Sequence, residues 1–324
     1  MTTKTIVLAA ALGAAGISAG AELKLGIIGC DTSHAIAFTK LMNVEKDPDL
    51  HGHRVVAAYQ WGSRDIVSAT NRYPQYIAEL KGMGVEMTGS IAELLGRCDA
   101  VFLETNDGRP HYEQALEVFR SGKRVFIDKP IAASLADAVK IVRAAREMNA
   151  SFFCSSALRF TKGAQAARAG AFGAVRGADV WTPESFEPSH SDYYWYAIHG
   201  AEPLFTIMGR GCEQVTACRT PTEDVLVGRW ADGRLGVMRA LGSGRKGADY
   251  GGCIFTEGAG VQNAGTYEGY RSLLLSIVAF FETGAVPVTP EETLEIYAFL
   301  EAGAESVRRG GVPVALADVL KNAQ

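Results

Sequence analysis

The chain is 324 residues long, 48% hydrophobic and 21% charged, with a formal net charge of -4 and a sequence pI near 5.9. A chain of that size can bury two cores, and its mild acidity excludes the basic footprint of a nucleic-acid binder. Cys30, Cys98, Cys154, Cys212, Cys218 and Cys253 form no C-x-x-C pair and no zinc-ligand spacing, so buried thiols are expected; only the closeness of Cys212 and Cys218 raises the question of a disulfide.

Residues 1–21 read as a secretory signal: Lys4, an alanine-rich apolar run, then Ala19-Gly20-Ala21 with small residues at the cleavage positions. The other reading is an apolar tail or uncleaved anchor, against which Gly13, Gly16 and Ser18 interrupt a run already short for a bilayer. The expected location is periplasmic or secreted, with no membrane contact after cleavage. No twin arginine precedes the run, so export in a prefolded state is not suggested.

From 22 to 150, strand-like runs ("KLGIIG", "RVVAAY", "AVFLET", "RVFID") alternate with amphipathic segments, which predicts a Rossmann-type doubly wound parallel sheet. Ser90 with Glu93 and Ser134 with Asp137 have capping-box spacing, Pro110 suits a first helical turn, and Gly122 is placed to end a helix. From 151 to 324 the rhythm changes to consecutive strands, with Asp232-Gly233 as a hairpin turn. This half is expected to be an α+β domain with a largely antiparallel sheet. Two helices follow, the second opened by Thr289, Pro290 and Glu292, and both are expected to cover one face of that sheet.

The stretch "KLGIIGCDTSHAIAF", residues 24–38, begins like the first strand and phosphate turn of a dinucleotide domain. Gly29 keeps the bend, but Asp31 stands where a second glycine lets the backbone approach the pyrophosphate, and His34 where a third allows close packing. The acid expected after the second strand is missing: Tyr59 and Gln60 stand there, and Arg64 is the residue that would meet a 2'-phosphate. The opposite use of the turn is that Asp31 caps the first helix beside His34, leaving a pocket that holds something smaller than a dinucleotide or nothing. Asp31, His34, His190, Asp192, His199 and Glu202 are candidate metal ligands by type, but no motif unites them and no metal is expected.

Over residues 23–317 the chain resembles the Gfo/Idh/MocA family of sugar-directed oxidoreductases. The resemblance is carried by "HYEQALEVFRSGKRVFIDKPIAASLADAV" with its Asp128-Lys129-Pro130, by "LRF" at 158–160, by "AIHGAE" at 197–202, and by the tail "FFETGAVPVTPEETLEIYAFLEAGAESVRRGGVPVAL". It implies Lys129 at the floor of a cleft between nicotinamide and sugar, and His199 facing the same hydroxyl, with Glu202 one helical turn on. It further implies Thr105 and Asn106 in a polar turn against the cofactor, which also involves Asp128. Trp195 stands where the family often has an aspartate, so Asp192 and Glu202 are candidate substitutes. Arg159 and Trp195 are candidate substrate contacts, with a structural ion pair as the other reading for Arg159. The cluster Tyr193, Tyr194, Trp195 and Tyr196 reads equally as a sugar-stacking surface and as packing. His111 is expected to cap or pack.

The leading expectation is an exported oxidoreductase that acts on a sugar or polyol hydroxyl with tightly held NAD or NADP. Its alternatives are a non-redox carbohydrate lyase, epimerase or hydrolase with a vestigial nucleotide pocket, and a non-catalytic sugar-binding protein. The expected partner is a small carbohydrate, with self-association plausible through the second sheet.

Overall fold

The computed structural model describes residues 22–242 and 249–324; the stretch read as a signal, residues 1–21, lies outside them. The first domain runs β1 (Lys24–Ile28), α1 (Ser33–Thr39), β2 (Arg54–Tyr59), α2 (Val67–Thr70), α3 (Tyr73–Gly82), β3 (Glu86–Thr88), α4 (Ile91–Leu95), β4 (Ala100–Leu103), α5 (His111–Arg120), β5 (Arg124–Asp128), α6 (Leu135–Glu147) and β6 (Phe152–Ser155). Its strands pair in the order β3-β2-β1-β4-β5-β6, with every pairing parallel. This is the Rossmann order, and the sheet runs one strand past residue 150. Every residue of β4 and β6 is buried, which explains their unbroken apolar runs: helices cover both faces of a parallel sheet.

The helix signals are met in detail. Ser90 Oγ accepts from Glu93 N–H (3.1 Å) and Ser134 Oγ from Asp137 N–H (3.2 Å). Gly122 has φ +72°. Pro110 is the N-cap of α5, one residue before the first turn where it was expected.

The second domain contains α7 (Lys162–Arg168), β7 (Val175–Glu184), α8 (Ile198–Met208), β8 (Cys212–Arg219), β9 (Glu223–Trp230), β10 (Leu235–Gly242), β11 (Gly251–Thr256), β12 (Val261–Asn263), α9 (Arg271–Thr283), α10 (Pro290–Arg308), β13 (Val314–Ala315) and α11 (Leu316–Asn322). The strand order is β12-β11-β7-β10-β9-β8-β13; the β7–β10 pairing is parallel and the other pairings are antiparallel. Helices α8 and α10 pack on this sheet. Helix α9 does not, contrary to the expectation for both late helices. Its Phe280 and Phe281 pack against Phe153 and Phe102 of the first sheet, with ring centroids 5.1 and 5.2 Å apart. The chain therefore returns to the first core, and this ties the walls of the interdomain cleft together.

Cys212 and Cys218 lie on one strand, β8, which separates them by roughly 20 Å of extended chain. That span excludes a bridge between them, and both thiols are free. Among the described residues, no helix is long and apolar enough to cross a membrane.

Candidate active site

A cavity of about 310 Å³ opens at the carboxyl ends of β1, β4, β5 and β6, closed from the other side by the start of α8. Lys129 and His199 both line it, together with Asn106 and the aromatic side chains of Trp195, Tyr196, Tyr250, Tyr267 and Tyr270. Lys129 follows the last residue of β5, and its peptide to Pro130 is cis. His199 sits in the first turn of α8 with Nδ1 2.6 Å from Ser156 Oγ. Its ring meets Tyr196 and Tyr250 edge-on, with centroids 5.2 and 5.8 Å away. Burial, followed by the charge of Lys129, pushes the His199 pKa well down, so the imidazole is neutral. Trp195 packs against His190 with tilted rings 5.0 Å apart, and His190 accepts from Gly108 N–H (3.0 Å) and is held neutral by burial, its pKa lowered to about 4. The aromatic run thus divides: Trp195 and Tyr196 face the cavity, whereas Tyr193 and Tyr194 are fully buried packing.

The phosphate turn is closed by its own side chains. Gly29 has φ +92°, and a Cβ there would lie 2.4 Å from Thr105 N, so this glycine is obligatory. Asp31 is completely buried, and its carboxylate accepts from Ser63 N–H (2.8 Å) and Asn106 N–H (3.0 Å). Cys30 N–H donates to Trp61 O (2.8 Å), which folds the segment after β2 over the turn. Thr32, rather than Asp31, caps α1, its hydroxyl accepting from His34 N–H.

His34 reaches back into the sheet. Its Nδ1 is 2.7 Å from Asp128 Oδ2, and its ring lies 4.5 Å from that of Tyr270. Beside this pair is Glu104, directly after β4. Leu103 pairs with Ile127 in register, so Glu104 and Asp128 follow side by side on neighbouring strands. Burial and the Asp128 charge raise the Glu104 pKa well above the carboxylate range. Burial opposes ionisation of Asp128 too, but His34 holds it as the anion.

Several expected site residues lie elsewhere. Glu202 and Arg159, read as catalytic and substrate-binding, form a buried ion pair (2.5 Å); Arg159 also reaches Glu292 (2.6 Å), which binds Arg168 (3.1 Å). Their charges are consumed in packing α8 and α10 on the domain junction. Asp192 pairs with Arg219 at the surface, away from the cavity. Gln60 and Arg64 are exposed on the loop after β2 and do not line the cavity. Thr105 points inward to Gln114 (2.8 Å) rather than toward a ligand. His111 packs as expected, bridging Thr105 O (2.7 Å) and Ile131 O (3.1 Å). Of the metal-type residues, Asp31, His190, Asp192, His199 and Glu202 do not join a ligating cluster, whereas His34 converges with Glu104 and Asp128. Glu104 was legible as an acid ending the apolar run "AVFLE". Arg72, Tyr250, Tyr267 and Tyr270 carry no local signal, because the topology alone brings them to the cavity.

A dinucleotide fits this site in part. The polar cavity beside Lys129 and Asn106 accommodates a nicotinamide-sized ring. Beside the turn, the amides of Ser63 and Asn106 are taken by the Asp31 carboxylate and that of Cys30 by Trp61 O, so none of these three is offered to a pyrophosphate. A unit charge 4 Å from the Asp31 carboxylate would be opposed by about 4 kcal/mol at an effective dielectric of 20.

Comparison with known proteins agrees with this geometry. Residues 23–155 match the model of the GFO_IDH_MocA oxidoreductase family, described as an NAD-binding Rossmann fold. A 99-residue stretch is 37% identical to 1,5-anhydro-D-fructose reductase of Ensifer adhaerens, spanning 29% of this chain and 29% of that protein. Scyllo-inositol dehydrogenase of Lactobacillus casei, solved with NAD(H) and scyllo-inositol, superposes with a TM-score of 0.71 at 16% identity, covering 92% of this chain and 100% of that one. Myo-inositol 2-dehydrogenase of Lactobacillus plantarum gives 0.70 at 14% identity, covering 91% and 99%. These likenesses show the two-domain fold, and residues 23–155 are similar to the Rossmann domain of that family.

Proposed function

We propose that the protein is an oxidoreductase that acts on one hydroxyl of a sugar or polyol bound in the interdomain cavity. The observation that carries this reading is the placement of Lys129 and His199 on the walls of one cavity, at the carboxyl ends of a Rossmann sheet. NAD, when bound, supplies the hydride acceptor of this chemistry. The chain's own residues handle the proton. Lys129 Nζ donates a hydrogen bond to the reacting oxygen and stabilises it as negative charge develops. His199 Nε2 accepts the hydroxyl proton, which requires Nδ1–H to donate to Ser156 Oγ; that oxygen also accepts from Leu158 N–H (3.2 Å). Because His199 is a weak base, it takes the proton only as hydride leaves and does not store it. Trp195 and Tyr196 offer apolar faces to the sugar ring.

The closed turn around Asp31 favours a second reading, in which the same pair acts without redox change, as in a lyase or epimerase. The deciding experiment incubates the protein with NAD or NADP and a panel of inositols and monosaccharides, following reduced nicotinamide and, in parallel, products by chromatography. Nicotinamide reduction that falls at least 100-fold in Lys129→Ala, with an unchanged melting temperature, supports the oxidoreductase. Product without cofactor replaces it with the second reading. Stabilisation by a sugar without turnover leaves a binding protein.

Export of the chain, through residues 1–21, belongs to the same proposal and is tested by N-terminal sequencing of the protein from a cell envelope fraction. Self-association through the outer face of the second sheet, where Leu235, Phe255 and Val261 are exposed, is tested by light scattering.

A further inference from the structure

Two carboxyl groups lie side by side in the interior at the floor of the cavity. Glu104 is fully buried and its side chain meets only that of Asp128, to which it hydrogen-bonds; Asp128 is 1% exposed, and its Oδ2 meets His34 Nδ1. Among the described residues, no lysine or arginine forms an ion pair with either acid; Lys129, on the cavity wall, acts on both through its charge. The third member, His34, is also buried and directs Nδ1 at the pair. The donor atoms of the three residues all lie within 4.8 Å of one another.

The donors come from the start of α1 and the ends of β4 and β5, where a parallel sheet assembles its ligand sites. Bonds of about 2.0–2.2 Å place ligand atoms at most roughly 4.4 Å apart around one ion, so a closure of a few tenths of an ångström completes the sphere. We propose that His34 Nδ1 and one carboxylate oxygen each from Glu104 and Asp128 hold a single divalent first-row transition ion at the floor of the cavity. One imidazole nitrogen with two carboxylate oxygens selects manganese, iron or zinc over magnesium and calcium, whose ligands are all oxygen. His34 borders the cavity, so the remaining coordination positions lie toward a bound polyol. The proposal stands whether or not the oxidoreductase reading does.

The described residues contain a second group of similar geometry, His51, His53 and Glu282, which serves as the internal control. There both imidazoles bind Glu282 Oε1, at 2.7 and 2.9 Å, and Leu23 N–H donates to His53 Nδ1, so His53 has no free ring nitrogen. The test strips the protein with chelator, equilibrates it with manganese(II) or zinc(II), and measures bound metal by mass spectrometry and manganese by electron paramagnetic resonance. The expected result is one equivalent per chain, retained in Glu282→Gln and weakened at least 100-fold in Glu104→Gln and Asp128→Asn. Should those variants fail to fold, pulsed resonance on the wild type reads nitrogen coupling from one imidazole, which His34→Gln removes. No stoichiometric metal, or metal lost in Glu282→Gln and kept in Glu104→Gln, overturns the proposal.

Discussion

Asp128 and Ser155 face each other at the ends of β5 and β6, and each opens onto a buried polar cluster of opposite character. On the Ser155 side, Arg159 and Arg168 meet Glu202 and Glu292, two cations against two carboxylates, and Ser155 Oγ donates to Glu202 (3.2 Å). On the Asp128 side, two acids and an imidazole meet one another, and among the described residues no lysine or arginine forms an ion pair with either acid. A charge-balanced cluster stabilises the junction that contains it. An unbalanced one is held in place by the sheet around it, as groups reserved for a ligand are.

The strongest way to break this contrast is to remove one charge from each side. Arg159→Met leaves Glu202 and Glu292 buried with a cation missing, and is expected to cost about 3–5 kcal/mol in urea unfolding. Although burial opposes its charge, the two glutamates hold Arg159 in its cationic form. Glu104→Gln in metal-free protein supplies an amide donor to Asp128 and is expected to cost less than about 1 kcal/mol. Equal losses in the two variants would make both clusters architecture.

A third buried acid sharpens the comparison through pH. Glu184, at the end of β7, has no cation partner among the described residues, and burial followed by Asp224 raises its pKa to about 9 from an ordinary 4.5. The folded state therefore holds a proton that the unfolded chain releases between those values, so this residue's contribution to stability is full below about pH 4.5 and lost as pH rises toward 9. Glu184→Gln removes the dependence. Its melting temperature is expected to match the wild type near pH 4.5 and to exceed it by a widening margin up to pH 8, worth a few kcal/mol at most. A constant difference across that range would refute the assignment.

The same contrast explains what was readable in the sequence. Periodicity and caps revealed the strands, the Ser90 and Ser134 helix starts and both sheets, because these depend on neighbours in the chain. Lys129 and His199 were legible only through the family resemblance. Glu202 was expected at the site, and Arg159 was read equally as a substrate contact and as a structural ion pair: a charged residue carries no local mark that says whether its partner is a ligand or another side chain 43 positions away. The tyrosines of the cavity and the return of α9 to the first core are long-range facts that no window of sequence contains.

Asp31 allows a smaller test. Asp31→Gly restores the glycine-rich turn, frees the amides of Ser63 and Asn106, and removes a repelling carboxylate. NAD affinity, measured by calorimetry, is expected to rise about 10- to 100-fold, or roughly 1.4–2.8 kcal/mol. Affinity unchanged or weaker would mean that Asp31 does not oppose the phosphates.

The finest test uses adjacent serines. Ser155 Oγ donates to Glu202, and Ser156 Oγ meets His199 Nδ1 at 2.6 Å, so one residue along the chain separates the structural cluster from the catalytic wall. Ser155→Ala is expected to lower stability by about 1 kcal/mol and leave turnover unchanged. Ser156→Ala frees the His199 ring to adopt either tautomer, so only part of the population presents a lone pair to the cavity. Its kcat is expected to fall about 3- to 10-fold with KM unchanged, since Trp195, Tyr196 and Lys129 still bind the sugar. If Ser156→Ala instead costs stability alone, His199 is a packing residue of the cavity wall and the proton must leave by another route.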